Sequence, residues 1–181
     1  MSATPEELTA EAARWLRFAA EDLEAAEALR SAPGVAARHV ATLAQQSAEK
    51  AVKAGLVLLD IDPPRTHNLE LLVDLLPDDW AVHESSADLA RLSLWLAESR
   101  YPGEWPETTA SAAAEALAAA RDVLAMMSSD LSAREPAVWC ADDTVCTGAG
   151  APTHHSRGQR NATHNDMTRG EQRRWAARSA A

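Results

Sequence analysis

Between residues 40 and 58 the chain repeats small and apolar side chains at a spacing that suits only an α-helix. Val40, Ala44, Ser47, Ala48, Ala51, Gly55 and Leu58 fall on one side of a helix turning about 100° per residue. Because most of these side chains are small, a neighbouring helix can come close, and the chain is constrained towards tightly packed helices. The opposite side carries His39, Gln46, Lys50 and Lys53, flanked by Gln45 and Glu49. Lys50 and Lys53 are the only lysines among the 181 residues. One helix therefore joins a small-residue packing face to a polar stripe holding an imidazole and two ammonium groups. A solvated surface helix with locally paired charges has the same pattern, so the stripe marks a candidate site and not yet a function.

The remaining periodicity is also helical. Thr4, Pro5 and Glu7 form an N-terminal capping signature for a helix running to about Arg30, with Leu16, Ala19, Leu23 and Ala26 on its buried edge and Pro33-Gly34 as its stop. A second helix spans Val35 to about Leu59. A short third is expected over Asn68 to Leu76, with Leu69, Leu72, Val73 and Leu76 apolar. A fourth begins near Ser85 or Ser86, with Leu89, Leu92 and Leu96 as its core edge, and ends before Tyr101-Pro102. The fifth opens near Glu107, and Ala113, Leu117, Ala120, Leu124, Met127 and Leu131 alternate steps of four and three. The hydrophobic fraction is 46% but the aromatic fraction only 4%; alanine, which makes up much of the difference, favours helix and buries little area. The expected fold is all-α: an up-and-down bundle of four long helices and one short one over residues 1–134. Residues 135–181 mix Gly, Pro, Thr, Arg and His without an apolar period and read as a disordered tail.

Charge narrows the partners. Residues 1–135 carry 23 acidic and 11 basic side chains, whereas 136–181 carry 4 and 6. So acidic a bundle has no general attraction for nucleic acid. No DNA partner is expected, and an RNA or nucleotide contact would need a local basic pocket, for which the lysine stripe, Arg38 and Arg100 are the sources. No segment has the roughly 20 uninterrupted apolar residues of a membrane span, and the acidic N-terminus lacks signal-peptide order; a cytoplasmic location without membrane association is expected. Cys140, Cys146, His154 and His155 depart from compact zinc-knuckle spacing, so neither metal nor cofactor is expected.

Four segments, in order, resemble the HEPN family of nucleotide-binding helical domains. They are Trp15-Leu16 with Ala20-Glu21-Asp22-Leu23-Glu24-Ala25-Ala26, the stretch Ala44–Ala54, Thr66-His67-Asn68-Leu69-Glu70-Leu71-Leu72, and Arg100-Tyr101-Pro102-Gly103. Together they cover roughly residues 8 to 131. The resemblance implies an all-α HEPN-type bundle that forms a homodimer and pairs with a nucleotidyltransferase-type antitoxin in a two-gene, toxin–antitoxin-like system. It also raises the polar stripe to a ligand-binding cleft for nucleotide or RNA, lined by Gln46, Lys50, Lys53, His67, Arg100 and Tyr101. In that cleft the cations would hold phosphate, and His67, the one weak catalytic candidate, would polarise a hydroxyl.

Ribonuclease members of the family carry an arginine and, after four to six intervening residues, a histidine. The pairing suits the chemistry, with the histidine handling the 2′-hydroxyl proton and the arginine stabilising the phosphate. None of His39, His67 and His83 follows an arginine at that distance; Arg157 with His164 matches it and Arg160 falls one position short, but both lie within the expected tail. This departure argues against catalysis by the bundle alone. Two alternatives remain: a non-catalytic scaffold whose alanine seams make a dimer and dock a partner, and an unconventional metal-independent ribonuclease using His39 or His67.

Overall fold

Thr4 starts the first helix as a reciprocal cap. Its hydroxyl accepts from the Glu7 amide at 3.2 Å, and the Glu7 carboxylate accepts from the Thr4 amide at 2.8 Å, satisfying two amides the helix cannot pair itself. The computed structural model describes residues 3–100 and 107–134, with the backbone alone given for 96–100. The expected tail, and with it Cys140, Cys146 and the histidines beyond them, lies outside the described residues. Helix α1 (Pro5–Ser31) ends ahead of Gly34, whose φ of 77° reverses the chain without the clash a side chain would bring. Helix α2 (Ala37–Leu58) closes at Leu59, and Asp60, at φ 56°, turns the chain away.

Helix α3 (Leu69–Val73) is shorter than expected. Asn68 caps it, accepting from the Leu71 amide at 3.2 Å, but residues 74–76 leave the helix as turns ahead of Pro77. A 3-10 turn (Ala81–Glu84) that periodicity did not signal comes next. Helix α4 (Leu89–Arg100) then begins later than Ser85 or Ser86. Its cap is Asp88, which accepts from the Arg91 amide at 2.8 Å, while the Ser85 hydroxyl donates to Asp122 at 2.7 Å. Helix α5 (Ala110–Arg134) likewise starts after Glu107, capped by Thr109, which accepts from the Ala112 amide at 3.1 Å. Aspartate and threonine are strong N-caps; periodicity locates a helix but not which nearby polar residue closes it.

Among the described residues the fold is all-α, with five α-helices and no strand. Helix α2 is its axis, packing on α1 and α5 and also on α3 and α4. Ala41, Val52, Ala54 and Leu56 are buried besides the small-residue face, so the helix is enclosed nearly all round. On α5, Ala113, Leu117, Ala120, Met127 and Leu131 are buried as expected, but Val123 takes the place of Leu124, which is only partly covered. A straight helix of 3.6 residues per turn drifts off a 3.5-residue seam, and the neighbouring side chain comes round. Gly55 brings α2 and α5 together: a Cβ there would lie 2.6 Å from Met127 Cε and 2.7 Å from Trp80 Cζ3. At the end of α5, Asp130 accepts from the Ala81 amide at 2.9 Å and Arg134 lies over the Trp80 ring at 4.4 Å, anchoring the 3-10 turn.

Candidate functional site

The polar side of α2 is organised around Glu49. Because Gln45, Glu49 and Lys53 are spaced one turn apart, their side chains meet along the helix. Gln45 Nε2 donates to Glu49 Oε2 at 2.8 Å, and Lys53 Nζ donates to Glu49 Oε1 at 2.8 Å. The loop between α2 and α3 delivers His67, whose Nδ1 lies 3.0 Å from Oε2 and 3.2 Å from Oε1 of the same carboxylate. Burial alone would push the Glu49 carboxyl up, but hydrogen bonds from Lys53, Gln45 and His67 and the charge of Lys53 hold it below its ordinary value.

An ionised carboxylate only accepts, so the His67 nitrogen facing it carries a proton. In the neutral ring this leaves the Nε2 lone pair directed away from Glu49. His67 is 54% exposed, and its Nε2 makes no hydrogen bond among the described residues. A carboxylate behind an imidazole fixes its tautomer and ring orientation. The arrangement can accept a proton or orient a hydroxyl, and it places that capacity at the surface.

The structure brings Lys53 and His67 onto one carboxylate, but directs Lys50 elsewhere. Lys50 pairs with Asp22 of α1, with side chains 31% and 18% exposed, while Lys53 and Glu49 are both only 11% exposed. Gln46 is half-buried on the same side of α2, and His39 is exposed nearer its start. Tyr101 lies outside the described residues, and of Arg100 only the backbone, at the end of α4, is described. No group of three or more His, Cys, Asp or Glu among the described residues is placed to hold a metal. Both lysines of the polar stripe thus have internal counter-ions, Asp22 for Lys50 and Glu49 for Lys53. Gln45 and Glu49 were named only as flanking the stripe and Asp22 only as part of the first family segment, so none of the three was counted among the site residues. The four-residue steps from Gln45 to Glu49 to Lys53 were a usable signal for the first two; nothing in the sequence pointed across to Asp22.

The model of the HEPN domain matches residues 12–130, from within α1 to within α5. The chain belongs to the HEPN family. No curated protein and no solved structure gives a significant match. At family level, membership supports a nucleotide- or RNA-associated module, and it accounts for the helical bundle. Within this HEPN domain, none of His39, His67 and His83 stands in the arginine–histidine spacing of the ribonuclease members. No helix among the described residues is long and apolar enough to cross a membrane.

Proposed function

We propose that this HEPN domain binds a nucleotide or single-stranded RNA at the polar face of α2. In this reading it acts in the cytoplasm as a homodimer, in a two-gene, toxin–antitoxin-like system with a nucleotidyltransferase partner. One observation carries the reading of the site: Glu49, buried and ionised, holds the exposed His67 through Nδ1, and Lys50, the next residue of α2, keeps a partly exposed ammonium. Phosphate would be held by Lys50, with Arg100 as a second cation and Gln46 and Tyr101 as further polar contacts. His67 would meet a ribose or other hydroxyl. The experiment is thermal unfolding of the full chain with and without ATP, AMP and a short single-stranded RNA. A ligand at 100 times its dissociation constant adds about 2.7 kcal/mol. A selective shift, lost in Lys50→Ala and reduced in His67→Ala, is the expected result; no shift with any of the three ligands removes the reading.

The scaffold alternative has an observation of its own, the internal pairing of both lysines. Ala113, Ala116 and Ala120 are at most 4% exposed and belong to the monomer core, so charging them would unfold the bundle and say nothing of a dimer. The exposed Ala118 and the partly covered Ala112 and Ala119 line a groove of about 490 Å³ between α4 and α5. Under the scaffold reading Ala118→Glu dissociates the dimer, as read by light scattering, and nucleotides leave the unfolding temperature unchanged.

A further inference from the structure

We infer that Asp22 is an internal counter-ion that competes with the anionic ligand of this site for Lys50, and so sets the affinity of the site. The inference rests on the reading of the polar face as a phosphate-binding surface and adds what regulates it. The two lysines of the stripe are held differently. Lys53 is nearly closed off, and its partner Glu49 lies one turn back on the same helix. Lys50 is 31% exposed and its partner comes from α1, so this pair bridges two helices at the edge of the core. An ammonium carries three donors on a flexible stem. Among the described residues Asp22 is the sole partner of Lys50, which leaves two donors for solvent or ligand.

A phosphate approaching Lys50 meets Asp22 by either of two routes. It can displace the carboxylate, stranding a charge whose side chain is 18% exposed without its cation. Or it can bind beside the carboxylate and suffer like-charge repulsion at close range. Both routes weaken binding, and both disappear if position 22 is neutral. Asparagine keeps the shape and an acceptor oxygen for Lys50, so the packing of α1 on α2 is preserved. A purely structural ion pair has the opposite signature, with neutralisation costing stability and leaving ligand affinity unchanged.

The test is isothermal titration of the full chain with ATP at fixed ionic strength, comparing wild type, Asp22→Asn, Lys50→Ala, the Asp22→Asn/Lys50→Ala double variant and Glu24→Gln. Glu24 is exposed two residues further along α1, so its substitution changes net charge equally without touching Lys50. Asp22→Asn is expected to tighten ATP binding roughly threefold or more, the gain to vanish in the double variant, and Glu24→Gln to match wild type. Wild-type binding that weakens in Lys50→Ala but does not tighten in Asp22→Asn overturns the inference while the site stands. An equal gain in Glu24→Gln also overturns it, since overall charge would then be the cause. If neither wild type nor Asp22→Asn binds ATP, AMP or the short single-stranded RNA, the site reading falls and the inference with it.

Discussion

Glu49 remains ionised inside the bundle because Gln45, Lys53 and His67 all donate to it. Glu49→Gln leaves the Lys53 ammonium, 11% exposed, without its counter-charge. Removing one member of such a pair is costly, so the variant is expected to lose about 3 kcal/mol of unfolding free energy near neutral pH. The sign of the pH dependence follows from the depressed carboxyl. Its contribution is complete above the unfolded-chain value and is lost as pH falls through the lower folded value, where Glu49 takes up its proton. Urea midpoints of wild type and variant should therefore converge as pH drops below the ordinary carboxylate range; parallel curves would show that Glu49 is not the group responsible. At this scale the sequence was half legible. The stripe was visible because a helix repeats every 3.6 residues, but Asp22 and His67 reach it through tertiary contacts that no local period records.

Helix α2 can touch four other helices because its side chains are short where they meet. Gly55 is the extreme case, with Met127 and Trp80 occupying the space a Cβ would need. Gly55→Ala gains up to about 1 kcal/mol in helix propensity but forces buried atoms apart, at about 1–3 kcal/mol. Because Trp80 and Met127 are both fully enclosed, the steric cost should prevail. The expected result is a net loss of about 1–2 kcal/mol, read from the shift of the urea midpoint at unchanged slope. A stabilised variant would mean that α5 can slide outward without loss. Elements were the most legible level: five helices were expected and five are present among the described residues. Their starts were not. Asp88 caps α4 in place of Ser85 or Ser86, since several capping residues lie within a turn and Ser85 is drawn to Asp122, and Thr109 opens α5 beyond Glu107.

Across the whole molecule, the last described residue is part of the fold. Arg134 stacks on Trp80, reaches Asp79 at 2.9 Å and lies near the buried Asp130. A chain ending at Arg134 is expected to match the unfolding temperature of the full sequence. One ending at Ala133 should lose roughly 1 kcal/mol through the missing cation–π and ion-pair contacts. A fall in the first of these would place the boundary of the cooperative unit beyond residue 134. The order in which the core is assembled also bears on how the protein is made. Helix α2 is synthesised early, yet Val123, Met127 and Leu131, which close one side of the core, arrive only with α5. Until the ribosome has delivered that helix, for several seconds at ordinary elongation rates, this apolar face of the nascent chain lacks its α5 cover. An apolar face left open for that interval is prone to aggregation while it lasts.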